Sequence, residues 1–335
     1  MILVTGGAGY IGSHTLVELI NQSESVVVID NLQNSTELAL EKVKEITGKD
    51  LTFYQGDIGD AQLLKQIFEK HPIKSVIHFA ASKSVNESVS QPLAYYRNNI
   101  SATVTLLECM AQFNIKNIIY SSSAAVYGDP VYTPMDEAHP IGPITPYGKT
   151  KYFGEQILED LAVSDSQWNI VMLRYFNPIG AHHSGLIGED PLGEPRNLLP
   201  YLTQVAIGKR KVLSIFGQDY NTIDGTPVRD YIHVVDLAKG HVQALNLIQK
   251  QCGLKVLNLG TGKPTSVLEL VSRFEAVTGQ KLSYQMMPRR EGDAECCYAA
   301  PDAALKEMSW KTELSLDNML EDAWHWQSKN PNGYN

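Results

Sequence analysis

Short apolar runs separated by helix-length amphipathic stretches organise the first half of the chain. Residues 1–4, 26–29, 51–54, 75–79, 117–120 and 170–173 each have the length and the β-branched or aromatic content of a buried strand. Between them apolar residues recur at helical spacing, as in Ser13-His14-Thr15-Leu16-Val17-Glu18-Leu19-Ile20. Strands alternating with helices predict an α/β fold, a Rossmann-type doubly wound parallel sheet covered on both faces. Ligands of such a sheet collect at the carboxyl ends of its strands. Small or polar residues stand at those ends here: Asp57, Ala80-Ala81, Ser121-Ser122-Ser123 and Tyr175-Phe176-Asn177. After residue 176 the rhythm breaks, and Gly and Pro punctuate 178–200 and 217–228. Residues 235–248 have the periodicity of a helix returning to the sheet. The expected organisation is a large α/β domain over 1–176, with a returning segment near 229–260. A smaller C-terminal α/β substrate lobe is expected mainly within 177–335.

The first strand runs into Thr5-Gly6-Gly7-Ala8-Gly9-Tyr10-Ile11-Gly12 and then into a helix. Strand, glycine turn and helix in that order form a dinucleotide fingerprint. Gly6, Gly9 and Gly12 permit the tight turn, close approach of backbone to a pyrophosphate, and close helix–strand packing. The pyrophosphate then rests on the free N–H groups of the helix start. The second strand ends in Asp30, at the right distance to hydrogen-bond a ribose 2′-OH. Asn31 and Leu32 follow, with no Arg or Lys to meet a 2′-phosphate, so the expected cofactor is NAD rather than NADP.

Tyr147 and Lys151 lie four residues apart, one helical turn, and project from the same face. A free tyrosine titrates near ~10 and is a weak base at neutral pH. A neighbouring ammonium favours phenolate, so Lys151 is expected to draw the Tyr147 phenol down into the range of a general acid/base. Ser123, in the serine run after the fifth strand, can hydrogen-bond a substrate hydroxyl and pass its proton to Tyr147. Each feature alone is common on protein surfaces; their combination with the glycine turn is not.

Charge narrows the partners. Over 335 residues the formal net charge is −9 and charged residues make up 19%, which argues against nucleic acid or an anionic membrane as partner. A phosphorylated ligand would need arginines placed locally. The first apolar run, four residues long, is too short for a signal or a membrane span. Cys109, Cys252, Cys296 and Cys297 show no C-x-x-C spacing, so reduced thiols in a cytoplasmic setting are expected, and no metal site is read.

With these residues in place, the chain resembles the extended short-chain dehydrogenase/reductases, and within them the UDP-glucose (UDP-galactose) 4-epimerase family. The most specific passages are Arg174-Tyr175-Phe176-Asn177-Pro178-Ile179-Gly180-Ala181-His182, Gly188-Glu189-Asp190-Pro191, Val228-Arg229-Asp230-Tyr231-Ile232-His233 and Pro288-Arg289-Arg290-Glu291-Gly292-Asp293. The resemblance implies catalysis by Ser123, Tyr147 and Lys151. It implies NAD contacts from Gly6, Gly9, Tyr10, Ile11, Asp30, Asn31, Asn34, Asp57, Ile58, Phe79, Ala80, Lys83, Asn98, Tyr147, Lys151 and Tyr175. UDP-sugar contacts are expected from Phe176, Asn177, Asn197, Leu198, Phe216, Arg229, Arg290 and Asp293, with the two arginines as diphosphate clamps.

The family's chemistry is a 4-keto route: Tyr147 takes the 4-OH proton, assisted by Ser123, while the C4 hydride moves to bound NAD and returns on the other face of the sugar. A 4,6-dehydratase needs an acidic pair after the strand-end hydroxyl, where this chain has Ala124-Ala125. A uronate decarboxylase is disfavoured by Ala125 for a related reason. A non-catalytic NAD(H)-sensing scaffold would not be expected to keep Ser123, Tyr147 and Lys151. Cys297, seven positions after Arg290, matches the position beside the sugar's C2 substituent. A small residue there implies that N-acetylated UDP-hexoses are accepted too, and a one-residue shift would place Cys296 or Tyr298 there instead. Apolar positions on the helices near 92–113 and 147–163, Leu93, Tyr96, Ile100 and Leu107 among them, either pack on the chain's own sheet or, as the resemblance implies, form a homodimer interface.

Overall fold

The computed structural model describes residues 1–290 and 292–334. In chain order the strands are β1 (Ile2–Thr5), β2 (Val26–Asp30), β3 (Thr52–Gln55), β4 (Ser75–His78), β5 (Asn117–Ser123), β6 (Asn169–Tyr175), β7 (Asn177–Ile179), β8 (Leu213–Phe216), β9 (Val228–His233), β10 (Leu254–Leu259), β11 (Pro264–Ser266), β12 (Tyr284–Met287) and β13 (Cys296–Cys297). Seven form one parallel sheet in the order β10-β6-β5-β4-β1-β2-β3. The chain winds outward from β1 to β3, then crosses back to β4 on the other side of β1. That reversal opens a crevice at the carboxyl ends of β1 and β4, where an open α/β sheet takes its ligand.

Alternation along the central strands divides the core. Ile2, Val4, Val26 and Val28 pack beneath the helices Tyr10–Asn21 and Val234–Ile248, against Leu16, Leu19, Leu237 and Leu245. Leu3, Val27 and Ile29 face the other way, onto Leu64, Ile67, Leu106 and Leu158. Both faces are covered, so the strands read as continuous apolar runs rather than alternating ones. Truncating any of these leucines to alanine costs about 2–5 kcal/mol.

The last parallel strand, β10, arrives through the returning helix Val234–Ile248, which packs on the helix Tyr10–Asn21. β9 itself lies in a second sheet, antiparallel to β11 and parallel to β13 and β7. A separate parallel pair joins β8 and β12. These elements share a core of Leu199, Leu202, Leu213, Ile215, Leu270, Phe274 and Leu320.

Two local features differ from the sequence reading. Ser121–Ser123 does not follow β5 but continues it, paired in register with Leu173–Tyr175; the ladder overrides serine's low strand preference. The expected helix near 92–113 is Pro92–Tyr96, a π-helical turn Arg97–Ser101, and Ala102–Gln112. Its apolar stripe is split: Leu93 is 80% exposed, whereas Leu107 is buried in the chain's own core.

Candidate active site

The crevice is framed by the glycine turn. Gly6 takes a φ of +69°, and a side chain there would press on the Ala80 nitrogen at 2.7 Å. One at Gly12 would collide with the Gly6 carbonyl, whereas one at Gly9 meets only that carbonyl at 3.3 Å and otherwise points into open space. The helix from Tyr10 begins with no capping side chain and no acidic residue in its first turn. Its leading N–H groups, Ile11's among them, are therefore free for an anion. At the end of β2 the Asp30 carboxylate accepts from the Ala8 and Leu32 nitrogens at 3.0 and 2.9 Å and from the Ser35 hydroxyl at 2.8 Å. Three of its roughly four acceptor sites are thus filled, which fixes its direction and leaves one for a ribose hydroxyl. This is a cradle that fits a dinucleotide.

The structure gives the remaining residues expected at the cofactor the following partners. Asn31 donates to Asp57 at 3.1 Å, Asp57 caps the Gly59 nitrogen at 2.7 Å, and Asn34 is exposed on the loop beyond β2. Ile58 is buried, and the Phe79 ring lies 4.7 Å from the His241 ring, tilted 53° to it. Tyr10 donates to the Gly180 carbonyl at 2.7 Å, and Lys83 stands over the Tyr10 ring. Asn98, in the π-helical turn, donates to the Ser82 hydroxyl and to Asn99. Tyr175 turns its hydroxyl onto His241 Nε2 at 2.5 Å. Because His241 Nδ1 faces the Leu237 carbonyl at 2.8 Å, the ring proton is on Nδ1 and Nε2 accepts from Tyr175.

Across the crevice, the helix Pro146–Ser164 carries Tyr147 and Lys151 over the end of β5. It starts cleanly, with Pro146 in the first turn and the Thr145 hydroxyl accepting from the Gly148 nitrogen. A side chain at Gly148 would meet the Ala125 carbonyl at 2.6 Å, so glycine lets the helix lie directly on the turn after Ser123. Ser123 caps that turn, accepting from the Ala125 nitrogen at 3.2 Å.

The electrostatics correct the sequence expectation for Tyr147. Its phenol is pushed up, not down: burial raises it, and the Ser123 hydroxyl is the opposing influence. Lys151 is engaged with the end of β5. Its Nζ donates to the Ser121 carbonyl at 2.6 Å and sits 5.2 Å from the Tyr120 ring centre. Burial lowers the Lys151 ammonium to about 8, against the raising effect of Glu155.

Glu155 was not singled out by the sequence, although it lies one further turn along from Tyr147 and Lys151. It accepts from Ser122 Oγ at 2.5 Å and from Arg174 Nε and Nη2 at 2.9 and 2.7 Å, forming a buried bidentate ion pair next to the end of β5. Arg174 also donates to the Tyr127 hydroxyl, which donates to Asn258. A second missed group is Asn99, bonded to Ser82 and, at 3.0 Å, to the Thr150 hydroxyl on the helix Pro146–Ser164. Thr103 donates to the Asn99 carbonyl, so His78 Nε2 donates to Thr103, and His78 Nδ1 accepts from Thr5 below the glycine turn. Burial keeps that ring neutral, lowering it to about 3.

On the substrate side, Arg229 and Arg290 converge on Asp293: Arg290 is bidentate at 3.0 and 2.9 Å, and Arg229 Nη2 lies 3.7 Å away. The Arg290 guanidinium lies over Phe216 at 5.4 Å. Phe176 is buried at the end of β6, and Asn177 opens β7 beside it. Asn197 precedes the helix Leu198–Ala206 and donates to Glu189. Cys297, paired with Arg229 in β13, packs against the cluster of Val126, Tyr127, Met135, Phe176 and Ala299, together with Ala124. Burial raises its thiol to about 11.

Residues 2–260 match the model of the NAD dependent epimerase/dehydratase family. The chain belongs to that family. It is 54% identical over 340 residues to the UDP-glucose 4-epimerase of Bos taurus, covering 99% of this chain and 98% of that one. It is 54% identical over 333 residues to the UDP-glucose 4-epimerase of Bacillus subtilis, with 99% and 98% covered. The crystal structure of UDP-glucose 4-epimerase from Bifidobacterium longum in complex with NAD+ and UDP superposes with a TM-score of 0.96, at 51% identity and 99% coverage of both chains. Fold class and cofactor thus agree with the sequence reading.

Proposed function

We propose that the protein interconverts UDP-galactose and UDP-glucose by inverting C4 of the hexose, with NAD retained in the crevice. The observation that carries this reading is the helix Pro146–Ser164 laid on the end of β5, which brings Tyr147 and the buried Lys151 over Ser123 beside the dinucleotide cradle. Bound there, NAD supplies a hydride acceptor and donor for C4 and, when oxidised, a positive charge that favours phenolate at Tyr147. The Tyr147 Oη accepts the 4-OH proton and later returns it, and the Ser123 hydroxyl orients that 4-OH. Lys151, held by the Ser121 carbonyl, keeps positive charge beneath the pair.

Inversion requires the 4-keto hexose to present its other face without leaving. Arg229 and Arg290 fit this task as anchors of the diphosphate, leaving the hexose free to turn. Ala124 and Ala125 cannot move protons, so elimination to a 6-deoxy sugar has no acid–base pair.

Substrate breadth follows from Cys297. It packs against the apolar cluster that contains Phe176, as does Ala124 of the turn after Ser123. A small thiol there leaves room for a 2-N-acetyl group, and the reading includes UDP-N-acetylglucosamine and UDP-N-acetylgalactosamine. In this reading NAD is held mainly by 1–176 and the UDP-sugar mainly by 177–335. A homodimer is supported by the exposed apolar residues Val85, Val89, Leu93 and Phe153 on adjoining helices, and a cytosolic setting by four free thiols. Incubation with UDP-galactose and no added nucleotide tests the function: UDP-glucose is expected, and absence of product, or dependence on stoichiometric added NAD, contradicts it.

A further inference from the structure

Glu189 lies in a segment, Gly188-Glu189-Asp190-Pro191, to which the epimerisation chemistry assigns no task. Its side chain is 9% exposed, and one carboxylate oxygen, Oε1, serves two donors: Lys83 Nζ at 3.0 Å and Asn197 Nδ2 at 2.7 Å. Lys83 comes from the loop after β4, on the cofactor side. Asn197 stands at the N-cap of the helix Leu198–Ala206, yet its side chain makes no capping bond. Asparagine at that position ordinarily caps its own helix, a bond worth about 1 kcal/mol; here the amide is turned to Glu189 instead. Beside it, Arg196 reaches back across the crevice to Glu87 at 3.2 Å and to the Ser84 hydroxyl.

The segment is braced from behind. The Tyr334 nitrogen donates to Asp190 at 2.9 Å, the Gly188 nitrogen donates to the Tyr334 hydroxyl at 3.3 Å, and the Tyr334 ring packs 4.7 Å from Trp326. Glu189 is therefore a fixed carboxylate rather than a flexible surface acid, and the two groups it holds belong to opposite sides of the crevice.

We propose that Glu189 is a positioning residue that couples the two ligand sites, so that UDP-sugar bound at Asn197 tightens the hold of Lys83 on NAD. The inference rests on the proposed function and on the family resemblance, which implies Lys83 at the cofactor and Asn197 at the nucleotide sugar. Ordering either donor fixes the shared oxygen and prepares the other. By linkage each ligand then strengthens binding of the other by the same factor. A mere strut between lobes would lose stability on substitution without altering this coupling.

The test compares the wild type with Glu189→Gln, which keeps an oxygen acceptor and removes the charge. In the wild type, UDP should slow NAD release about tenfold, and in Glu189→Gln by no more than about twofold, within the usual range of coupling between sites. UDP-galactose KM should rise roughly tenfold, the scale of one charge-assisted hydrogen bond, with kcat within about twofold. Asn197→Ala, cutting the same link from the other end, should abolish the UDP effect on NAD release as fully. A Glu189→Gln enzyme that keeps the whole UDP effect, or that loses kcat at unchanged KM, overturns the proposal. Turnover of UDP-galactose by the same wild-type preparation separates the two readings. An inactive wild type strikes the proposed function, and an active one with coupling intact in the variant strikes Glu189 alone.

Discussion

Replacing Glu155 with glutamine probes the foundation of the site. The Glu155–Arg174 pair has side chains only 1% and 6% exposed, and the carboxylate also takes the Ser122 hydroxyl. Removing one partner of a buried pair leaves an uncompensated charge and costs about 3–5 kcal/mol. Glutamine keeps one oxygen for Ser122, and Arg174 keeps its bond to Tyr127, so the lower end, about 3 kcal/mol, is expected. At roughly 2–4 °C per kcal/mol for a large domain, the melting midpoint should fall by about 6–12 °C. The same carboxylate raises Lys151 against the lowering effect of burial. Without it Lys151 should titrate below about 8, and the alkaline limb of the pH–rate profile should move to lower pH. Thermal melts and kcat/KM against pH measure both effects on one variant. The double variant Glu155→Leu, Arg174→Met, which leaves no buried charge behind, should recover much of the stability but not the pH profile. A Glu155→Gln midpoint within 1–2 °C of wild type (less than about 1 kcal/mol), with the alkaline limb unmoved, would refute this account of the ion pair.

Three further expectations concern the base, the gate and acid stability. Tyr147→Phe should lose about 10²–10⁴-fold in kcat with UDP binding and melting temperature retained, and near-normal turnover would remove Tyr147 from the mechanism. Cys297→Tyr should abolish turnover of the N-acetylated pair while leaving UDP-galactose turnover largely unchanged, because overpacking costs roughly 1–3 kcal/mol per crowded group; a wild type inactive on UDP-N-acetylglucosamine would show that Cys297 is not the gate. His14 and His78 are each lowered by burial to about 3, against ~6.5 in an unfolded chain, so the unfolded state binds more protons between those values. Their contribution is complete above about pH 6.5 and is lost as pH falls toward 3, at about 1.4 kcal/mol per pH unit for each ring. His78→Gln should reduce the slope of unfolding free energy against pH by about one proton between pH ~6 and ~4, and an unchanged slope would show that His78 is not neutral in the fold.

The parts of this site that were legible in the sequence are those set by local spacing. Gly6, Gly9 and Gly12 announce a turn that needs glycine at Gly6 and Gly12, and Tyr147 with Lys151 announces one face of one helix. Glu155 continues that spacing and could have been read the same way. The strand character of Ser121–Ser123 could not, because it comes from pairing with Leu173–Tyr175 rather than from serine itself. Nor could the π-helical turn at Arg97–Ser101, which offers Asn99 to both Ser82 and Thr150. The upward direction of the Tyr147 shift was not legible because spacing shows which side chains are near, not how deeply the phenol is buried. The meeting of Lys83, Glu189 and Asn197 joins loops far apart in the chain and exists only once both lobes have folded.

The central claim is that one hydride leaves C4 of the sugar and returns to the same carbon inside the closed site. UDP-galactose carrying deuterium at C4, incubated with the protein in ordinary water without added NAD, tests it directly by mass spectrometry and proton NMR of the product. The account predicts UDP-glucose with the deuterium still at C4. Loss of the label to solvent, or its appearance at C6, would contradict it.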